Sequence, residues 1–493
     1  MSAEMAEFGG VLDRLGPLFA PRAIAVVGVS GRTVGQGNAF IRHLREAGYE
    51  GAIYPIHPSE RTLEGLPAYP SLARTPTPVD YAFLAIGAES VPEVLRAGQG
   101  RVRFAQVMSS GFDRHPDGRD LKRELVEAAR AAGMRLLGPN CMGTCSPRAR
   151  MNFIGGGVDA PGPVGIMSQS GGLSIDILRH GRVRGLRFSG VVSLGNCLDL
   201  GPNDLLEYFL ADPHTRVIGA YLEHVRDGRR FFELLRASGA AKPVVLLKGG
   251  RTAQGQRAAA SHTGSLASDN DVWRGMSRQT GTVLVDTFDQ FVDALVAFQS
   301  SEPLREYPSG RVILFGNGGG ASVLAADHFA HLGLQVAPLE PRTQRTLEKL
   351  GVPPGVSLDN PIDVPANILQ RERGAFASRI LSTVCETESP EAIVVHLNLP
   401  VILGYRHVDM LDDLLRAVLQ VRARRSGRFR LLLVLRSSGQ REFEERRIEC
   451  TQLAMQEGVP VFAQLADAAH ALAALHEHAR FIDTRHKGGA EET

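Results

Sequence analysis

The chain has 493 residues, 43% hydrophobic and 22% charged, and its 55 Lys+Arg against 53 Asp+Glu leave a formal net charge of +2. Such balance argues against a nucleic-acid scaffold or an acidic tail, while leaving room for a local basic groove, and at ~150 residues per domain the length predicts about three domains. Cys141, Cys145, Cys197, Cys385 and Cys450 are too scattered for a disulfide framework. Met1 to Ala20 lack the basic-then-apolar order of a secretory leader, and no apolar run approaches the ~18 residues of a membrane span, so the expectation is a reduced, cytoplasmic protein away from membranes.

Glycines cluster just after short β-branched runs, the pattern of strand-to-helix turns in parallel α/β sheets. The first unit reads as a strand Ala23–Val27, a Gly-rich turn Gly28–Gly37 and a helix Ala39–Ala47. Strands follow at Ala52–Pro55, Tyr81–Ile86, Phe104–Met108 and Met134–Leu137. After a Gly/Pro-rich linker, Gly155–Pro163, a second series runs Val164–Met167, Gly190–Leu194, Val217–Leu222, Val244–Lys248 and Val283–Val285. Ser300–Ser309 marks another boundary before Val312–Phe315, Ala392–Asn398, Leu431–Leu435 and Val459–Phe462. Strands alternating with helical patterns imply right-handed βαβ units. The tail from Thr484 to Thr493 reads as frayed and exposed.

In the first unit, Gly28-Val29-Ser30-Gly31-Arg32-Thr33 follows a strand and leads into a helix, where free N–H groups and the helix dipole favour an anion. The spacing is not Gly-x-Gly-x-x-Gly. The second strand ends Pro55-Ile56-His57-Pro58, without an acid to hold a ribose hydroxyl, so a nicotinamide dinucleotide is disfavoured. The plain alternative is a turn that needs glycine for sterics alone. Gly138-Pro139-Asn140-Cys141-Met142-Gly143 ends another strand at the ligand-binding edge, or is simply a turn with a buried cysteine. Cys141 and Cys145 have no second pair or His cluster beside them, so no metal is expected.

In the second unit, Ser168-Gln169-Ser170-Gly171-Gly172 joins a strand to a helix starting near Leu173, and Ser170 suits either a helix cap or a phosphate contact. Lys248-Gly249-Gly250-Arg251-Thr252 and then Ser261-His262-Thr263-Gly264 lie in a run poor in large apolar anchors, before a helix from Asp269. A histidine there is either an exposed loop residue or a nucleophile. A neutral imidazole can carry a phosphoryl group if one ring nitrogen is free and the other hydrogen-bonded. Glu223, at a strand end in Tyr221-Leu222-Glu223-His224, offers a carboxylate for the second nitrogen, or is a solvated charge.

Taken in order, these motifs resemble the α-subunit portion of nucleoside-diphosphate-forming acyl-CoA synthetases, the superfamily of the succinyl-CoA synthetase α chain. Ser193-Leu194-Gly195-Asn196 with Asp199, Gly318-Gly319-Gly320 and Asn360-Pro361-Ile362-Asp363 complete the set, over about residues 15 to 480. The resemblance implies an α/β fold: a Rossmann-like CoA-binding domain over residues 15–150, then two flavodoxin-like doubly wound domains over 160–302 and 308–482. It implies that His262 is transiently phosphorylated with Glu223 as its partner, and that Ser170, Gly171 and Gly172 present N–H groups to the phosphoryl group. Gly28, Ser30, Gly31, Arg32, Thr33, His57, Ser109 and Ser110 match loops that hold CoA, with Asn140 and Cys141 near the thiol end. Nothing in these residues resembles the family's ATP-grasp portion, so the resemblance implies that ATP/ADP and Mg2+ are held by a separate ATP-grasp β subunit, in an α2β2 assembly. Ile175, where succinyl-CoA synthetase has a Tyr, hints at a monocarboxylic or hydrophobic acid. The other expectation for this fold is a non-catalytic CoA- or acyl-CoA-binding regulatory protein.

Overall fold

Buried β-branched runs build three sheets, each covered by helices. The computed structural model describes residues 3–112, 120–157, 159–263, 270–301, 304, 308–352, 356–404, 411–424 and 427–491, with side chains left out at 3–9, 260–263, 486 and 488–491. Strands β1 (Ala23–Val27) and β2 (Ala52–Ile56) precede a small hairpin, β3 (Thr62–Leu63) and β4 (Leu66–Pro67). Then come β5 (Val79–Leu84), β6 (Val102–Val107) and β7 (Arg135–Leu137). The first sheet is parallel, in the order β2-β1-β5-β6-β7. Residues such as Ala82, Leu84, Ala105 and Leu136 are fully buried in it, as expected of strands covered on both faces.

The second sheet takes β8 (Gly143–Cys145), β9 (Val164–Ser168), β10 (Phe188–Ser193), β11 (Val217–Leu222), β12 (Val244–Lys248) and β13 (Val283–Val285). Its order is β13-β12-β11-β9-β10-β8, and β8 alone runs antiparallel. The third takes β14 (Val312–Gly316), β15 (Ile362–Asp363), β16 (Ala392–Asn398), β17 (Arg430–Arg436) and β18 (Val461–Phe462), parallel in the order β15-β14-β16-β17-β18. Setting β8 aside, all three sheets share one doubly wound order. Each reverses direction beside its first strand: between β1 and β5, between β9 and β11, and between β14 and β16. In open α/β sheets such reversal points open the crevices where ligands bind.

The chain forms two compact units, Met1–Asp286 with the first two sheets and Thr287–Thr493 with the third. The helix Phe288–Ser300, expected at the end of the second domain, packs along the last helix and goes with the third sheet. Three expectations are corrected. The tail continues as helix through Glu491, where a Lys487–Asp483 pair one turn apart (2.8 Å) favours helix over fraying. The run before His262 forms the helix Ala253–Thr263, because Ala and Gln outweigh its lack of apolar anchors. Helix Gly171–Val183 starts two residues earlier than Leu173, since Ser170 caps it. The N-terminal helix Ala3–Phe19 and strands β3, β4, β8 and β15 had no sequence signal; the strands have only two or three residues each.

One buried ionic cluster fastens the third sheet. Glu391, whose side chain is fully buried, accepts from Arg430 Nη1 (2.5 Å), His476 Nδ1 (2.7 Å) and the Gly310 N–H (2.7 Å). Burial pushes its carboxyl up, but these donors outweigh burial and hold it below the usual range. A depressed carboxyl stabilises the fold above its unfolded pKa of about 4.3, and the contribution disappears as pH falls through the folded value. Glu391→Ala leaves Arg430 buried without its partner and is expected to cost about 3–5 kcal/mol in urea unfolding of the C-terminal unit at pH 7. That loss should shrink as pH falls below about 4 and vanish below the folded value, where the wild-type carboxyl is itself protonated.

Candidate active site

The carboxyl ends of β1, β2, β6 and β7 bring Gly28, Ser30, Gly31, Arg32, Thr33, His57, Ser109, Ser110 and Asn140 to one edge. At the first reversal point the chain leaves β1 through Gly28, at φ +93°, where any Cβ would collide with the Ala85 carbonyl oxygen. Only glycine fits there. The loop is then shaped by Asn38, which is buried. Its Oδ1 accepts from the N–H groups of Ser30 (3.1 Å) and Gly35 (3.2 Å), and its Nδ2 donates to Ser30 O (2.9 Å) and Glu64 Oε1 (2.8 Å). Ser30 Oγ accepts from the N–H of Arg32 (3.1 Å) and of Thr33 (3.3 Å), and the side chains of Arg32 and Thr33 stand exposed above it.

Next door, His57 Nδ1 accepts from the N–H groups of Ser59 (3.3 Å) and Glu60 (3.0 Å). With Nδ1 accepting, the ring's outward donor is Nε2–H. Ser109 Oγ donates to the Ile86 carbonyl, and the Asn140 N–H donates to Ser109 O (3.0 Å). Asn140 is exposed and sits at φ +60°, which asparagine tolerates. Cys141 differs from its neighbours. Its thiol turns back into the sheet, towards Val107 O (3.5 Å) and Leu137 O (3.6 Å), and burial raises its pKa strongly. It therefore lines the edge by its backbone, whose carbonyl accepts from Gln106 (3.2 Å).

Asn140 is also the hinge to the second sheet. The Met142 N–H donates to Ser193 Oγ (3.1 Å), and the Asn196 N–H donates to Pro139 O (3.0 Å). Just beyond lies the start of helix Gly171–Val183. Ser170 Oγ accepts from the Leu173 N–H (3.3 Å) and Ser168 Oγ accepts from the Ser170 N–H (3.2 Å). Gly171 and Gly172 thus form the first turn, whose N–H groups and positive dipole end suit an anion.

Across the second reversal point stands Glu223, 8% exposed. Tyr221 Oη donates to its Oε1 (3.2 Å), while Oε2 is buried with no hydrogen-bond partner among the described residues. Gly249 passes so close that a Cβ there would lie 2.7 Å from Tyr221 Oη and 3.2 Å from Glu223 Cγ. Lys248 is buried beside this carboxylate, its ammonium donating to the Gly249 carbonyl and standing 5.6 Å from the Trp273 ring centre. Burial lowers its pKa to about 8, partly opposed by Glu223 and aided by Arg251. His224 is likewise lowered, by burial first and then by Arg226.

His262 occupies the last turn of helix Ala253–Thr263, which Thr252 caps through its Oγ1 to the Gly255 N–H (3.1 Å). The His262 side chain and residues 264–269 lie outside the described residues. Sequence reading missed Asn38, Gln169 and Tyr221, and gave Lys248 no role; Gln169 acts on residues 54 and 55 positions away, Asn38 on the preceding loop, and Tyr221 on Glu223 two residues on. Among the described residues no group of three His, Cys, Asp or Glu is placed to hold a metal, and no helix is long and apolar enough to cross a membrane. The arrangement provides a polar strand-end edge, a helix start whose N–H groups suit an anion and, beside an ammonium, a carboxylate with one acceptor unpartnered among the described residues.

A CoA binding domain model matches residues 22–147, and a succinyl-CoA ligase like flavodoxin domain model matches residues 161–298. The α subunit of ADP-forming acetate–CoA ligase I from Pyrococcus furiosus is 32% identical over 483 residues, covering 95% of this chain and 98% of that one. ADP-forming acetate–CoA ligase I from Archaeoglobus fulgidus is 34% identical over 384 residues, which span 77% of this chain but 54% of its own longer one. The dinucleotide-forming acetyl-coenzyme A synthetase 1 of Ca. Korarchaeum cryptofilum, solved with phosphate and ADP, matches with a TM-score of 0.82 at 29% identity, over 96% of this chain and 98% of that chain. The chain belongs to the ADP-forming acid–CoA ligases, in the family of their acetate–CoA ligase α subunits.

Proposed function

We propose that this chain makes or cleaves an acyl-CoA through a phosphohistidine at His262 and an acyl phosphate, working in the cytoplasm with a separate ATP-grasp β subunit in an α2β2 assembly. In the synthetic direction an imidazole nitrogen of His262 attacks the terminal phosphorus of ATP held with Mg2+ on the partner. The bond to ADP breaks, a P–N bond forms, and the imidazole proton is released. A carboxylate oxygen then attacks the phosphoryl group, the P–N bond breaks, and the His262 imidazole takes back a proton. The CoA thiolate attacks the acyl carbon of the acyl phosphate, and inorganic phosphate departs.

Each step has a group to serve it. Glu223 Oε2 is the acceptor for the second ring nitrogen, so that the nucleophilic nitrogen keeps its lone pair. Gly171 and Gly172 bring N–H groups to the phosphoryl oxygens, while Ser170, whose own N–H is taken by Ser168 Oγ, caps that turn, and the loops from Gly28 to Thr33, His57, Ser109, Ser110 and Asn140 hold CoA. The observation that carries the reading is the continuity of these groups. Asn140 at the CoA edge, the Ser170 helix start and the Glu223 oxygen with no partner among the described residues follow one another along the edges of two joined sheets. Ile175, half-buried one turn into the helix after Ser170, favours a monocarboxylic acid with an apolar chain.

The deciding experiment incubates the chain and its ATP-grasp partner with γ-labelled ATP. Acid-labile, base-stable label is expected on the wild type and none on His262→Ala; equal label on the variant would sink the phosphohistidine. Glu223→Gln keeps the shape but loses the charge, and is expected to slow labelling about 100-fold, the scale of an oriented acid–base partner.

Lys248 yields a pH prediction. Its ammonium supports the anionic Glu223 and the incoming phosphoryl group only while protonated, so the labelling rate should fall as pH rises through about 8. Lys248→Arg stays charged, since arginine titrates above about 12, and should lose that descending limb in a pH–rate profile.

A further inference from the structure

The second reversal point poses a problem that the first does not. Beyond Ser168 and Leu222 the parallel strands β9 and β11 separate, and the N–H groups of Glu223 and His224 run out of ladder partners. Buried amides need partners. The side chain of Gln169, 3% exposed, supplies them: its Oε1 accepts from the N–H of Glu223 (2.6 Å) and of His224 (3.0 Å). Its Nε2 donates to His224 O (2.9 Å) and reaches Cys197 Sγ (3.4 Å). One amide thereby replaces the missing rung of the sheet.

The same residue stands between Ser168 and Ser170, which set the start of helix Gly171–Val183. We propose that Gln169 is a positioning residue that locks the Glu223 carboxylate at a fixed distance from that helix start, so that phosphohistidine, partner carboxylate and anion-binding turn stay in register. The proposal rests on reading Glu223 as the partner of His262. Side-chain length and polarity are both required. Asparagine falls one methylene short, methionine has the reach but neither bond, and glutamate keeps an acceptor while losing the donor to His224 O.

The test measures the single-turnover labelling rate from γ-labelled ATP in the assembled enzyme, with CoA affinity measured separately at the first-sheet edge. Gln169→Met is expected to lose about 10- to 100-fold in labelling rate, the cost of misplacing a reacting group by roughly 1 Å, with CoA affinity within about twofold. In a Glu223→Gln background the same substitution should cost less than about threefold more, because residues acting as one unit are not additive. Gln169→Glu should recover rate as pH is lowered, since protonating the Q169E carboxyl restores a donor to His224 O. It serves alone if the methionine variant does not fold.

Wild-type labelling by Gln169→Met, or by Gln169→Glu at all pH values, overturns the proposal. So does an undiminished loss in the Glu223→Gln background, or a parallel loss of CoA affinity, since either makes the role merely structural. If His262→Ala keeps the label, or Glu223→Gln labels like wild type, the underlying reading falls and takes the proposal with it. Those two controls separate the failures.

Discussion

Where strand order reverses in a doubly wound sheet, two adjacent strand ends send their chains to opposite faces, and the backbone there loses its ladder. Every such point must satisfy buried amides without closing the crevice that the geometry opens. This chain meets the constraint three times, with three solutions. At the first, β1 and β5 part through Gly28, and the backbone of Ala85 closes directly on Val27 O (3.0 Å). Side chains are left over for a ligand. At the second, a glutamine side chain does the bonding, and what it fixes is an acidic residue.

The third reversal point is satisfied from within. The Asn317 Oδ1 accepts the Asn398 N–H (2.9 Å) across the gap, and the Gly318 N–H that opens the next helix is taken by Asp363 Oδ1 (2.8 Å). Asn360, from the motif that ends in Asp363, bonds Leu314 N (2.9 Å), Val312 O (2.8 Å) and Ala337 O (2.9 Å). Two motifs that stood out in the sequence thus have structural duties of their own. His396 is buried beside this point, and burial, with Arg436 adding to it, pushes its pKa down to about 4, so its ring is neutral at physiological pH. The contrast with the second point is one of charge. There a carboxylate and an ammonium share the same buried space.

What the sequence made legible follows from locality. Strand positions in the first two sheets were readable because buried parallel strands are continuous apolar runs punctuated by glycine. The Ser170 cap was readable because a cap and its amide lie three residues apart. Gln169 was not, since its partners sit 54 and 55 residues away and nothing in a serine–glutamine–serine string announces them. Asn38 was hidden differently: it acts eight residues back, on Ser30, from inside a helix. The Cys141 thiol could not be oriented at all, because turning inward depends on the Val107 and Leu137 carbonyls being nearby.

The Glu223 neighbourhood runs against ordinary stability. Glu223 Oε2 is buried with no partner among the described residues, an arrangement that costs about 1–3 kcal/mol where no partner is found, and a buried ammonium resists its charge, as the lowered pKa of Lys248 records. Hydrophobic residues of similar volume would remove both penalties. The fold instead adds supports: Tyr221 on one carboxylate oxygen, Gln169 on the backbone beneath, and a glycine at 249 so that the chain can pass close by. Three residues hold in place a group that stability alone would discard. A buried charge braced in this way is what a functional carboxylate at this position would require. Among the described residues, the oxygen that this bracing leaves without a partner is Oε2.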